Sequence, residues 1–281
     1  MQRILKKYFL VFTLPTLIAF AIAFVIPFVY GIYLSFCSFK TVTDTKWVWF
    51  DNYIKAFTNN GEFLNALWFT VKFAIVALVT INIFAFLLSL ALTRKIKGTN
   101  IFRTVFFMPN LIGGIVLGYI WQCIINGVLS NFDVDLLMDS QYGFWGLVIL
   151  MNWQMVGYMM VIYIAALQNV PTDLIDAAKV DGAGVGQRLR YITIPMVMPS
   201  ITICTFLTLS NSFKLFDQNL ALTAGGPAKE TRMLALDIYS TFYGRIGYEG
   251  VGQAKAVVFF LLVAIIAFLQ LRFTRSKEVE S

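Results

Sequence analysis

The stretch DLIDAAKVDGAGVGQRLRYITIP, Asp173–Pro195, lies between two long apolar runs, roughly 144–167 and 199–221. It holds three acids (Asp173, Asp176, Asp181), three bases (Lys179, Arg188, Arg190) and three closely spaced glycines (Gly182, Gly184, Gly186). Pro171 and Thr172 precede it. Thr172 is a good N-cap, and acids at 173 and 176 suit the positive end of a helix. Ala177 and Ala178 are strong helix formers with small profiles. The glycines then permit positive φ and end the helix. Ile192, Ile194 and Pro195 lead back into apolar sequence. The stretch thus predicts a polar helix–turn–helix connector, at about 169–198, between two apolar spans. An exposed helix with small alanines lets another protein approach closely, so it reads either as a docking element or as an ordinary solvated loop.

Working outward, the whole chain fits that setting. Of 281 residues, 59% are hydrophobic and 13% charged, with 27 Phe. Soluble domains carry about 25% charged residues, so there is too little polar surface here to cover a water-soluble globule. About 20 apolar residues cross the hydrocarbon core as a helix, and six such spans are expected: Phe9–Phe36, Leu64–Thr93, Ile101–Ile125, Phe144–Leu167, Pro199–Ala221 and Gln253–Phe273. The predicted class is all-α, a polytopic bundle forming a single transmembrane domain over 1–281. The first span follows Arg3, Lys6 and Lys7, as a signal peptide would. Its apolar run is too long for one, so an uncleaved span is expected.

Basic residues orient the chain. Arg3, Lys6, Lys7, Arg94, Lys95, Lys97, Arg103, Lys179, Arg188, Arg190, Arg272, Arg275 and Lys277 fall at one side. Lys40, Lys46, Lys55, Lys229, Arg232 and Arg245 fall at the other. The positive-inside rule puts both termini and the 173–195 stretch in the cytoplasm. It also accounts for the net charge of +7 without nucleic acid. Pro15, Pro27, Pro109, Gly113 and Gly114 interrupt spans, which marks either ordinary kinks or a pathway.

The chain has no histidine, and Cys37, Cys123 and Cys204 are far apart. No metal site, His-based catalytic residue or cofactor is expected. Gly182-Ala-Gly184-Val-Gly186 does not match a dinucleotide fingerprint, and no phosphate-binding loop occurs. Polar residues at membrane depth are therefore the informative ones. Lys214 and Asp217 lie three apart in the fifth expected span, on neighbouring positions of one helix face, with Asn211 a turn before and Gln218 a turn after. In the fourth, Asn152, Trp153, Gln154 and Tyr158 form a second polar and aromatic patch. These eight residues line a solute pathway, or else the charged pair neutralises itself and the aromatics pack the bundle. Trp121 and Gln122 in the third span are weaker candidates. Lys72 and Lys255 are expected to snorkel to the interface.

Asp176-Ala177-Ala178, then Gly182 after three residues and Ile192-Thr193-Ile194-Pro195 after nine more, resembles the cytoplasmic "EAA" loop of membrane subunits of bacterial ABC importers. The departures are Asp176 for Glu and Ile194 for Leu. A second run, SFKLFDQNLALTAGGPAKET (Ser212–Thr231), resembles the fifth-span signature of sugar permeases for oligosaccharides and glycerol phosphate. FDNYIKAF (Phe50–Phe57) and WQMVGYMMVIYIAALQNVPTDL (Trp153–Leu174) agree with it. The resemblance covers nearly the whole chain, and implies a type I permease fold in the bacterial cytoplasmic membrane. It further implies a second homologous permease, two copies of an ATP-binding subunit that carry the ATP and Mg, and an extracytoplasmic sugar-binding protein. Asp173, Asp176, Ala177, Ala178, Asp181, Gly182 and Ala183 would then form the element that seats on the ATPase. Tyr158 and Asn211 would touch sugar. The rival reading is an ion-coupled secondary transporter using Lys214 and Asp217. A membrane-embedded enzyme finds no nucleophile–base pair to support it.

Overall fold

The computed structural model describes residues 2–41, 43–58, 61–94 and 97–275. Of the residues that orient the chain, Lys95 and Lys277 lie outside these, as do the side chains of Arg3, Lys6, Lys7 and Arg275. The chain forms two compact units: residues up to Phe63 with Ile238–Leu261, and Leu64–Asp237 with the chain from Leu262 onward.

The first unit opens with α1 (Gln2–Phe20), a π-helical stretch (Ala21–Val25) and α2 (Ile26–Ser35). The wide turns fall just before Pro27, which lacks an N–H and crowds the preceding turn. Strands β1 (Cys37–Thr41) and β2 (Asp44–Trp47) form an antiparallel hairpin, the one β feature among the described residues. Helix α3 (Asp51–Thr58) follows. Asn52 is buried there and donates to the carbonyls of Ser35 and Cys37, both at 2.9 Å. It satisfies backbone groups where α2 hands over to β1.

Helix α4 (Glu62–Leu92) runs on into the second unit. Phe73, Ala77, Ile81 and Ala85 recur every four residues and are buried, while Ile75, Val79, Ile83 and Leu87 recur likewise and are exposed. A helix apolar on both faces belongs in lipid. Next come α5 (Thr99–Phe107), a 3₁₀ turn (Met108–Leu111), α6 (Gly114–Leu129) and α7 (Ser140–Gln168). The connector holds α8 (Thr172–Val180) and α9 (Val185–Arg188). After a π turn (Leu189–Thr193) come α10 (Ile194–Met196), α11 (Met198–Phe213) and α12 (Asp217–Leu222). Helices α13 (Leu234–Gly244) and α14 (Glu249–Arg275) complete the order. Among the described residues five helices are long and apolar enough to cross a membrane. The pair Val185–Met196 and Met198–Phe213, bent by 70°, makes the sixth.

Three expectations are corrected. The third span is not continuous over Ile101–Ile125: Pro109 sits in the 3₁₀ turn, Ile112 and Gly113 are extended, and the spanning helix is Gly114–Phe132. The fifth is not continuous over Pro199–Ala221: helix α11 stops at Phe213 and α12 begins at Asp217. Lys255 does not snorkel. It is 1% exposed, donates to the Thr241 hydroxyl at 2.9 Å and lies over the Phe63 ring. Within that unit Arg245 also pairs with Glu62 at 2.5 Å.

Candidate functional site: a mid-span polar cavity and an exposed connector

Helix α7 is the most buried of the spans, with 61% of its apolar window covered. Its interior face carries Met151, Gln154, Met155 and Tyr158, near the midpoint of the 29-residue helix. At 1.5 Å per residue that places them about halfway through the bilayer. These four border a cavity of about 380 Å³ with Asn110, Leu207, Asn211, Lys214, Leu215 and Gln218. Gln218 donates to Gln154 Oε1 at 2.8 Å, so the two amides hold one another in place.

The cavity exists because helices stop beside it. Asn110 is carried in by the 3₁₀ turn at Pro109. Lys214 is the C-cap of α11 and Leu215 the start of the break before α12. Backbone ends at membrane depth are tolerated where they line a polar space. The segment beyond the break is pinned by a buried network. Asn219 donates to the Thr223 hydroxyl (3.0 Å) and the Thr231 carbonyl (2.8 Å), and accepts from the Met233 N–H (3.0 Å). Thr231 donates to the Gly226 carbonyl at 2.6 Å.

Helix α12 packs closely on α6. A Cβ at Gly114 would lie 2.7 Å from Asp217 Cβ, and one at Gly118 would lie 2.7 Å from Ala221 Cβ. The pair reads Gly114-x-x-x-Gly118, a spacing that lets helix backbones approach in membranes.

Of the eight residues expected on a pathway, Gln154, Tyr158, Asn211, Lys214 and Gln218 meet at the cavity. Three do not. Asn152 is on the opposite side of α7 and donates to Thr80 Oγ1 at 2.9 Å and to the Val148 carbonyl at 2.8 Å. Trp153 packs edge-on to Trp121, ring centroids 5.7 Å apart, and borders an apolar groove with Phe84, Leu87 and Phe106. Residues 152 and 153 are about 100° and 200° round the helix from Met151, which explains their separation from 154 and 158. Asp217 begins α12 with its Cβ beside Gly114 and does not border the cavity. Lys214 and Asp217 do not share a helix face, because the break lies between them, and no ion pair joins them among the described residues. Asn110 was not anticipated, although Pro109 beside it signals the break. Gln122 is structural, donating to the Leu222 carbonyl at 2.9 Å.

In the connector, Thr172 is the first residue of α8 rather than its cap; Pro171 takes the cap position, with no side-chain cap bond. Asp176 pairs with Lys179 at 2.7 Å on the exposed face. Gly182 has φ +80° and open space around it, and the Ala183 N–H closes the turn on the Ala178 carbonyl at 2.8 Å. Asp173, Ala177 and Asp181 are exposed, and Ala178 and Ala183 half-buried. All seven residues expected to form a docking element thus lie on α8 and its turn. Val180 and Val185 are 88% and 71% exposed, an open apolar edge.

Comparison with known proteins places the chain. Residues 88–279 match the family described as binding-protein-dependent transport system inner membrane component. A probable starch degradation products transport system permease protein of Thermoanaerobacterium thermosulfurigenes is 43% identical, over 97% of this chain and 96% of the relative. A multiple sugar-binding transport system permease protein of Streptococcus mutans is 29% identical over 99% of each. Among solved structures, a chain of a bacterial ABC transporter involved in the import of the acidic polysaccharide alginate superposes with a TM-score of 0.81. It is 19% identical and covers 98% of both chains, a likeness of fold. A matched region spanning most of the chain, a relative aligned almost end to end and the apolar spans agree: the chain belongs to the family of binding-protein-dependent transport system inner membrane components.

Proposed function

We propose that this permease conducts sugar, as oligosaccharide, through the mid-span cavity, driven by ATP hydrolysed on a separate subunit. One observation carries the reading. On a chain whose exposed surface is largely apolar, three side-chain amides, a phenol and a lysine converge with Asn110 at the midpoint of the most buried span. Amides and hydroxyls of this kind exchange hydrogen bonds with sugar hydroxyls, while Met and Leu contact the C–H faces. The relatives named for starch degradation products and for multiple sugars support a carbohydrate.

A second, homologous permease completes the path, and an extracytoplasmic sugar-binding protein delivers the solute. Of two copies of an ATP-binding subunit, carrying ATP and Mg, one seats on α8 and its turn and the other on the second permease. The basic bias of the loops supports a cytoplasmic position for that connector and for both termini. This chain supplies no catalytic group. ATP binding shifts the pair between inward- and outward-open states. Moving such a population from 1:99 to 99:1 takes about 5.5 kcal/mol of differential binding, delivered through the connector.

The test is uptake of labelled maltooligosaccharide by the purified complex in proteoliposomes. Tyr158→Ala with Asn211→Ala should lower uptake at least about tenfold, as expected from losing two hydrogen-bonding groups, with assembly intact. Undiminished uptake would remove the cavity from the pathway. A chain that purifies alone and transports without ATP would instead favour an ion gradient as the driving force.

A further inference from the structure

The cavity has an uneven charge. Its polar lining consists of Asn110, Gln154, Tyr158, Asn211, Gln218 and Lys214, and no carboxylate borders it. Lys214 is exposed to this space, and no ion pair or side-chain hydrogen bond engages its ammonium among the described residues. The nearest acid in sequence, Asp217, starts the next helix and does not border the cavity. An ionisable residue at membrane depth defaults to a functional role, so a cation on this cavity calls for one. Binding neutral hydroxyls alone does not supply one, because the amides already do that without the electrostatic cost.

A solute path wide enough for a saccharide is also wide enough for a hydrated metal ion. Alternating gates alone do not keep ions out: whatever occupies the central space when the gates switch is carried across. We infer that Lys214 is a cation filter for this pathway, excluding inorganic cations from the mid-span cavity so that each turnover moves sugar and not sodium. This rests on the reading of the cavity as the pathway. A cavity of about 380 Å³ leaves a second cation only a few ångströms from the ammonium. At that separation in a partly desolvated site, like-charge repulsion lowers occupancy on the order of a hundredfold. Pores elsewhere exclude cations with fixed positive charge in the same physical manner. The filter has a sign: small anions are not rejected.

The test uses the complete complex in proteoliposomes, with ²²Na⁺ and ³⁶Cl⁻ counted per ATP hydrolysed. The parent should carry Na⁺ at background and Cl⁻ above it. Lys214→Met should raise Na⁺ carried per ATP at least tenfold and lower Cl⁻. Lys214→Glu should reverse the order of the two ions, and Lys214→Arg should stay tight to Na⁺. A Lys214→Met complex as tight to Na⁺ as the parent overturns the filter. Should that variant cycle ATP too slowly to count, Na⁺ permeability of parent and variant is compared with the ATPase trapped by vanadate, and equal permeability overturns it as well. Asn211→Trp separates the two readings. If that bulky side chain leaves sugar uptake intact, the pathway itself is misplaced; if it blocks uptake while Lys214→Met remains tight, only the filter fails.

Discussion

Gly157→Ala provides a demanding test of how the cavity is built. A Cβ at Gly157 would lie 1.7 Å from the Phe106 carbonyl oxygen, 2.3 Å from its carbon and 2.8 Å from the Phe107 nitrogen. An ordinary carbon–oxygen contact is about 3.3 Å, so α5 would have to move away from α7 by roughly 1.6 Å. The obstacle is backbone, so no rotamer change relieves it. Helix α5 is also tied at its middle, where Arg103 donates to the Leu92 carbonyl at 3.2 Å. Overpacking of this kind costs about 1–3 kcal/mol. At about 2 kcal/mol and roughly 2–4 °C per kcal/mol for a chain of this size, the unfolding midpoint should fall about 4–8 °C. The displacement also reaches the cavity, because α5 runs directly into the turn that carries Asn110. The assay is thermal unfolding of the detergent-solubilised complex, paired with uptake in proteoliposomes. Gly186→Ala is the control: nothing lies within 4 Å of its Cβ position and its φ is ordinary, so a change of no more than about 1 kcal/mol is expected. A Gly157→Ala complex that unfolds within a degree of the parent and transports normally would refute the close approach of α5 and α7.

Two further outcomes are expected. Gly182→Ala places an L-residue at φ +80° with no steric neighbour, a strain of about 1–2 kcal/mol. Sugar-stimulated ATP hydrolysis should drop while sugar affinity holds, and Gly182→Asn should be milder; an unchanged stimulation ratio would separate this turn from coupling. Asn52→Ala orphans two buried carbonyls and should lower stability by about 2–4 kcal/mol. Asn52→Asp, which has no N–H to donate, should be no better, and a thermal midpoint equal to the parent's in either variant would contradict the bonds to Ser35 and Cys37.

The spans were legible because hydropathy over twenty residues needs no tertiary information, and the connector because alanines, acids and glycines announce a helix and its stop. Breaks within spans were harder. Nothing local to SFKLFDQNL distinguishes a continuous helix from two pieces, since Lys, Leu and Phe are all acceptable helix formers. The stop at Phe213 depends on Asn219, Thr223 and Thr231 gathering the following segment into one buried network. That tertiary effect separated Lys214 from Asp217. Lys255 is buried for a reason of the same kind: a lysine's surroundings in a bundle depend on neighbours such as Thr241 and Phe63 that sequence spacing does not reveal. Adjacency in sequence groups Asn152 and Trp153 with Gln154 and Tyr158, whereas helical angle divides them. Two signals lay in plain view, Pro109 before Asn110 and the Gly114–Gly118 spacing that seats α12.

The 70° bend between Val185–Met196 and Met198–Phe213 makes this part of the chain a bell crank. The first arm, twelve residues or roughly 18 Å, begins at the connector. The second ends at Asn211 and Lys214. A straight rod pushed at one end slides along its own axis, whereas a bent one pivots. A tilt of about 10° at the connector end would displace the far end of a 24 Å arm by roughly 4 Å, about the width of a hydroxyl group and its hydrogen bond. A rigid elbow of this kind would convert a small rotation at the connector into a lateral sweep of the cavity wall, with no need for any helix to lengthen or unwind.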